Sequence, residues 1–228
     1  MSRLPTAVAL LVACALLLAA CGGDQKEKTA AKPAATETAE PAQAAGCQKV
    51  PKPKPKKPAR LPKPTQELKK GKTYVAQVLT NCGEFDITLD PKRAPRTGGS
   101  FASLVGKRYY DGLIFHRIVP GFVIQGGDPK GDGSGGPGYS VTEAPPDDLT
   151  YGKGVVAMAK TATEAAGTSG SQFFVVTGED AGLPPEYALL GKVTKGQEVV
   201  DKIGVVAVGS DEAPTEPVVI NSIRITTS

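Results

Sequence analysis

The feature that most constrains the fold is a series of eight short apolar or alternating segments separated by turn-forming residues. They span residues 74–80, 84–89, 113–118, 123–126, 155–159, 173–177, 188–193 and 218–226. Helical spacing of apolar residues occurs at about 96–107 and about 197–203, and two helices are too few to cover both faces of a parallel sheet. The pattern predicts a mainly β domain, either a barrel or a sandwich, and it favours a closed antiparallel β-barrel whose open ends are plugged.

The start of the chain is predicted to be a lipoprotein signal peptide, residues 1–20. Arg3 precedes an apolar run over residues 7–20, which is shorter than the roughly 20 apolar residues that span a bilayer and has the length of an export signal. Leu18-Ala19-Ala20-Cys21 resembles the bacterial lipobox, which implies cleavage before Cys21 and acylation of its thiol. An ordinary secretion cleavage site is the alternative. We expect an exported protein anchored to the outer face of the cell membrane by lipid on Cys21.

Residues 21–72 are predicted to be a disordered tether. They are rich in Ala, Pro and Lys, with no aromatic residue and no periodic apolar face. Six prolines between residues 51 and 64 favour an extended, polyproline-like spacer. Such a spacer would lift a folded domain, residues 73–228, away from the membrane.

The charge of the chain is unevenly distributed. Ten basic residues and one Glu give residues 49–72 a net charge of +9, and residues 1–48 are neutral. The total of +4 therefore leaves −5 for residues 73–228. No aromatic side chains are interleaved with the basic ones, so nucleic-acid bases would have nothing to stack on and we expect no nucleic-acid binding. A cationic spacer near anionic lipid or cell-wall polymer is the simpler interpretation.

The four cysteines divide into two pairs. Cys14 would leave with the signal peptide and Cys21 would carry lipid, so Cys47 and Cys82 remain in the mature protein. Two thiols in an exported protein predict a disulfide. It would close a loop of about 35 residues and stabilise the protein by roughly 3 to 4 kcal/mol.

One continuous segment carries most of the functional information. Residues 110–128, YDGLIFHRIVPGFVIQGGD, resemble the signature stretch of cyclophilins, which are peptidyl-prolyl cis–trans isomerases. The motifs VAMA at 156–159, GSQFFV at 170–175 and GKV at 191–193 match that family in order and spacing. The resemblance spans about residues 74–226. It implies a cyclophilin-like fold, a closed eight-stranded antiparallel β-barrel capped by two α-helices. It also implies an enzyme that acts on proline-containing polypeptides without a cofactor, and we expect a monomer.

The resemblance assigns Arg117 as the catalytic residue, and the chemistry of the reaction suits an arginine. Rotation about the peptide bond has a barrier of about 18 to 20 kcal/mol because of amide resonance. A donor aimed at the prolyl nitrogen stabilises the lone pair that appears as the amide twists, and arginine is a permanently charged, rigid donor. A residue in a surface ion pair is the alternative for Arg117.

The substrate-binding residues are predicted from the same match. Gln125 would bond a substrate carbonyl, or be exposed polar filler, whereas the apolar members would build a proline pocket or be ordinary core residues. Strand alternation predicts that Phe115 and Arg117 share a face and that His116 points the other way. The predicted set is His116, Phe122, Val123, Gln125, Ala159, Lys160, Phe174, Leu183 and Tyr187.

Other chemistries fit the sequence less well. His116 is the only histidine, no Gly-x-Ser-x-Gly motif accompanies it, and one His with two Cys does not furnish a zinc site, so we expect no metal. A module that binds proline segments without turnover, or a chaperone, is the main rival to the enzyme. Binding alone would not require a cation such as Arg117 at the prolyl nitrogen.

The chain departs from the family at the pocket. Lys160 stands where many cyclophilins have Asn, the stretch 162–166 is longer than usual, and Tyr187 stands where eukaryotic members commonly have His. The chain contains no Trp, whereas those members carry one in the corresponding loop. We expect isomerase activity to survive. The sequence does not predict cyclosporin sensitivity, because the missing Trp supplies a wall and a polar contact for tight binding of that drug.

Overall fold

The computed structural model describes residues 46–57 and 60–228, so the predicted signal peptide and Cys21 lie outside the described residues. Within these ranges, ten strands and two helices follow one another. Among the described residues, neither helix has the length and apolar character needed to cross a membrane. In chain order the elements are β1 (Tyr74–Thr80), β2 (Gly83–Leu89), α1 (Pro95–Gly106), β3 (Leu113–Val119), β4 (Val123–Gly126), β5 (Val141–Thr142), β6 (Val155–Met158), β7 (Thr168–Ser169), β8 (Phe173–Val176), β9 (Leu189–Lys195), α2 (Gln197–Ile203) and β10 (Val219–Thr227).

Eight of these strands close into an antiparallel barrel in the order β1-β10-β3-β4-β8-β6-β9-β2. The first hairpin turns at Gly83, which has a φ of 129° that only glycine adopts without strain. The prediction of a mainly β fold with a closed eight-stranded barrel and two helices is confirmed. The separate pair β5 and β7 was not predicted, because two-residue strands leave no periodic pattern in the sequence.

Two apolar clusters lie on opposite sides of the barrel wall. The larger one contains side chains from the barrel strands together with Phe101 of α1 and Val200 of α2. The smaller one uses alternate positions of β4, β6, β8 and β9, so it lies on the outer face of the same strands. Its buried members are Ala94, Val123, Leu149, Tyr151, Ala157, Phe174, Val176 and Leu189.

The described residues that precede β1 lie against the domain. Residues 46–57 and 60–69 form no helix or strand, but they bond to the domain rather than standing away from it. Cys47 forms a disulfide with Cys82, and the Lys56 ammonium donates to the backbone carbonyls of Tyr109 and Asp111 at 2.9 and 2.6 Å. We call residues 46–57 and 60–72 the N-terminal strap.

The strap packs against the domain because its few apolar side chains contact the apolar core. Leu68 is buried, and its N–H donates to the Pro95 carbonyl at 3.0 Å. A side chain at Gly99 would collide with the backbone of Gln66, and one at Gly98 would collide with Leu68. The two glycines that weaken α1 as a helix therefore permit this close approach. The composition of the strap predicts disorder, because contacts of this kind have no local sequence signature.

Candidate active site

A bulge in β3 determines where the central arginine points. In the pairing of β3 with β4, Phe115 is opposite Gly126 and Arg117 is opposite Gln125, which leaves His116 as an extra residue. Phe115 and Ile118 both lie in the larger core cluster, whereas Arg117 lines a pocket on the outer face. The prediction that Phe115 and Arg117 share a face is therefore wrong. The extra residue shifts the two-residue period by one position.

A row of cross-strand neighbours follows from the register of the outer face. Arg117 pairs with Gln125, Gln125 pairs with Phe174, and Phe174 pairs with Ala157. Directly opposed residues of antiparallel strands have neighbouring side chains on one face. The row places a cation, an amide and an aromatic ring side by side across β3, β4 and β8.

A pocket of about 150 Å³ opens at this row. Its floor and walls combine the outer apolar cluster with the arginine and the glutamine. Nine residues line it, and each belongs to the predicted site: Arg117, Phe122, Val123, Gln125, Ala159, Lys160, Phe174, Leu183 and Tyr187. The pocket suits a small apolar ring with a polar group at one edge.

His116 is the predicted site residue that does not line this pocket. As the extra residue of the bulge it is buried, with 9% of its surface exposed, and its Nδ1 has no hydrogen-bond partner among the described residues. Burial is the main cause that lowers the pKa of His116 below its ordinary value, while the nearby Asp128 carboxylate acts in the opposite direction. A neutral imidazole in this position contributes packing rather than charge.

The Arg117 side chain is held from outside the pocket. Its Nε donates to a carboxylate oxygen of Glu212 at 2.6 Å, and about a third of the arginine side chain stays exposed. Since Nε is engaged, the two terminal amino groups are available to a substrate. Glu212 has no counterpart among the predicted site residues, because a single Glu in a polar loop carries no sequence signal.

Gln125 is oriented by a second glutamine. The Nε2 of Gln125 donates to Oε1 of Gln172 at 3.0 Å. The Nε2 of Gln172 in turn donates to the backbone carbonyls of Gly133 and Gly135, both at 2.9 Å. This chain of bonds fixes the amide of Gln125 and ties the glycine-rich loop to the pocket. Gln172 was missed as a site residue although it lies within a family motif.

Lys160 joins two loops that wall the pocket. Only 4% of its side chain is exposed, and its ammonium lies 3.2 Å from Glu186 and 5.4 Å from the centre of the Tyr187 ring. The same ammonium donates to the backbone carbonyls of Thr161 and Glu164. A buried ammonium needs this degree of compensation. The longer stretch after Lys160 is thereby connected to the loop that carries Tyr187.

A larger groove of about 540 Å³ adjoins the pocket and shares Gln125, Ala159 and Lys160 with it. Arg60 of the N-terminal strap contributes to its lining. Within residues 46–57 and 60–228, no group of three His, Cys, Asp or Glu side chains is placed to hold a metal ion. The pocket therefore offers hydrogen-bond donors, the cations of Arg117 and Lys160, and apolar surface.

Comparison with known proteins shows which family this fold and pocket belong to. The family model for cyclophilin type peptidyl-prolyl cis-trans isomerases matches residues 75–225. A probable peptidyl-prolyl cis-trans isomerase A of Mycobacterium leprae is 39% identical over 168 residues, which cover 66% of this chain and 91% of that protein. Peptidyl-prolyl cis-trans isomerase B of Streptomyces anulatus is 36% identical, over 67% of this chain and 96% of its own length.

Solved structures agree with the sequence relatives. A cyclophilin type isomerase of Cryptosporidium parvum superposes with a TM-score of 0.63 at 31% identity, covering 68% of this chain and 98% of its own. The same protein in the presence of the dipeptide Ala-Pro gives a TM-score of 0.62. The barrel and its outer pocket thus define a prolyl isomerase. The chain belongs to the cyclophilin family and is a peptidyl-prolyl cis–trans isomerase.

Proposed function

We propose that this enzyme accelerates the isomerisation of X-Pro bonds in exported polypeptides, with Arg117 as its catalytic residue. The observation that carries the proposal is the position of Arg117 beside Gln125 at the edge of an apolar pocket of proline size. The proline ring would enter between Phe122, Phe174 and Leu183. A Cryptosporidium parvum relative has been crystallised in the presence of Ala-Pro, which supports a proline-sized ligand for this pocket.

The reaction needs neither bond cleavage nor proton transfer. As the peptide bond twists, resonance is lost, the prolyl nitrogen becomes pyramidal and its lone pair can accept a hydrogen bond. A terminal N–H of Arg117 would donate to that nitrogen, while Gln125 would hold the carbonyl of a neighbouring peptide unit. The planar ground state offers no comparable lone pair, so the arginine binds the transition state selectively.

The proposal extends to the location of the enzyme. Cleavage before Cys21 and acylation of its thiol would hold the enzyme, as a monomer, on the outer face of the cell membrane. The nine excess positive charges of residues 49–72 support a position beside an anionic surface rather than on nucleic acid.

The α1 and α2 side chains in the barrel core are consistent with helices that cap the two open ends.

Exchange spectroscopy by NMR distinguishes catalysis from binding alone. A short Ala-Pro-containing peptide is mixed with a small amount of the full chain, and cis–trans exchange cross-peaks are followed. We expect exchange cross-peaks with the enzyme and none without it, because uncatalysed exchange takes tens of seconds. Peptide that binds without enhanced exchange would favour the rival binding module. Phe174→Ala should weaken peptide binding because it removes an aromatic wall of the pocket.

The lipid anchor is tested separately. Cells that express the full chain are labelled with a clickable fatty acid, and wild type is compared with Cys21→Ser. We expect label on wild type and none on Cys21→Ser, while Cys47→Ser keeps its label as the matched control. Equal labelling of wild type and Cys21→Ser would refute the anchor and leave the isomerase activity untouched.

A further inference from the structure

A small loop at residues 207–215 ends against the barrel beside Arg117. Val208 and Pro214 form an antiparallel bridge at its base. At its tip the Gly209 N–H donates to the Ala213 carbonyl at 2.8 Å, and the Glu212 N–H donates to the Gly209 carbonyl at 3.1 Å. The loop is therefore closed by its own backbone, and Glu212 lies at its tip.

The tip is bonded to the strand that carries Arg117. The Ile118 N–H of β3 donates to the Glu212 carbonyl at 2.8 Å. The pairing of β10 with β3 covers only Leu113 and Ile114, so the loop continues the edge of the barrel where β10 has left it. This bond fixes the distance between the backbone of Glu212 and the backbone next to Arg117.

The backbone at Glu212 is held in an unfavourable conformation. Its φ is 62°, in the left-handed region that side chains other than glycine seldom adopt. Strain of this kind persists where the surroundings enforce it, and it clusters at functional sites. The residue in this conformation is the one whose carboxylate lies 2.6 Å from Nε of Arg117.

The ion pair is better suited to orientation than to stability. About 36% of the Arg117 side chain and 45% of the Glu212 side chain are exposed, and pairs with this exposure add little to the free energy of unfolding. An unpaired arginine, however, samples many rotamers, and a bond to Nε restricts its last torsions without occupying the terminal amino groups. A short charge-assisted bond is also geometrically selective.

We propose that Glu212 is a positioning residue, which holds the Arg117 guanidinium in the orientation that isomerisation requires. The inference rests on the proposed role of Arg117. Glu212 does not touch the substrate. It acts through Arg117, so its removal should affect the transition state more than the bound ground state.

The test uses the full chain and two matched variants. Glu212→Gln removes the carboxylate charge and keeps the side-chain length. Glu216→Gln removes a carboxylate that directly follows the loop and pairs with Lys49 instead of Arg117. We expect Glu212→Gln to lower kcat about threefold to fivefold with KM unchanged, as an exposed ion pair permits. Glu216→Gln should match wild type. Equal kinetics for Glu212→Gln and wild type would overturn the inference.

A double-variant comparison separates positioning from a structural role. If Glu212 acts through Arg117, adding Glu212→Gln to Arg117→Ala should cause no further loss of activity. A merely structural role would give the same loss in both backgrounds, together with a lower thermal midpoint, and would also overturn the inference. If Arg117→Ala itself kept wild-type turnover, the proposed mechanism would fail first.

The Nε–H signal of Arg117 in ¹⁵N-resolved NMR gives a readout independent of activity. In wild type we expect a signal shifted by the carboxylate and protected from exchange with water. In Glu212→Gln the signal should broaden or move to the position of free arginine, with no change in Glu216→Gln. An unchanged signal in Glu212→Gln would contradict the proposed positioning.

Discussion

The hydroxyl of Tyr151 makes two hydrogen bonds to the backbone of Tyr187. It donates to the Tyr187 carbonyl at 2.7 Å and accepts from the Tyr187 N–H at 3.0 Å. Burial is the main cause that raises the pKa of Tyr151 to about 12, so the hydroxyl remains a donor at physiological pH. A wall of the proline pocket therefore depends on one phenol oxygen behind it.

Tyr151→Phe should consequently weaken peptide binding. Both backbone groups of Tyr187 would lose their partner, at a net cost of about 1 kcal/mol for each bond, so we expect KM to rise about fivefold or more. Tyr74→Phe is the control, because the hydroxyl of Tyr74 accepts from Lys69 in the strap and not from the pocket. Steady-state kinetics of both variants check this, and an unchanged KM in Tyr151→Phe would count against a rigid wall.

Two glycines in α1 should respond oppositely to alanine. A Cβ at Gly99 would collide with the Gln66 backbone, whereas a Cβ at Gly106 would meet nothing within 4 Å. Gly106→Ala should stabilise the protein by up to about 1 kcal/mol because alanine is the better helix former. Gly99→Ala should lower the free energy of unfolding in urea and release the strap. If both substitutions raised the free energy of unfolding, the result would mean that the strap does not pack on α1.

Loss of the disulfide should affect stability and leave catalysis intact. Cys47 and Cys82 are 35 residues apart in sequence and neither lines the pocket. Cys47→Ala with Cys82→Ala should lower the free energy of unfolding by about 3 to 4 kcal/mol. The value of kcat/KM at 25 °C should equal that of wild type. Denaturant unfolding with and without reductant, combined with peptide kinetics, measures both quantities.

His116 should make stability, but not activity, depend on pH. In the unfolded chain the imidazole of His116 has a pKa near 6.5, whereas burial in the folded protein lowers this pKa. Stability is therefore complete above pH 6.5 and falls as the pH drops from 6.5 to the lowered pKa, with a slope of at most about 1.4 kcal/mol per pH unit. Denaturant unfolding across this range should give a smaller slope for His116→Gln. A flat kcat/KM from pH 6 to 9 is expected in both proteins, because no proton is transferred.

The sequence predicted the barrel and most of the pocket because both depend on local patterns. The alternation along β4 places Val123 and Gln125 on one face, and the family resemblance supplied Phe174 and Leu183. The orientation of Phe115 against Arg117 was predicted wrongly, since a bulge arises from pairing with another strand. Glu212 and the contacts of the strap could not be predicted, because they join residues that are distant in sequence and follow no periodic pattern.

The central claim is that Arg117 stabilises the twisted peptide bond and not the bound substrate. The most direct test measures turnover and peptide affinity together for wild type, Arg117→Lys and Arg117→Ala. Removal of a charged donor aimed at a transition state should lower kcat about 100-fold or more in Arg117→Ala, with peptide Kd within a factor of about three of wild type. Arg117→Lys should fall between them. Wild-type turnover in Arg117→Ala would contradict the account.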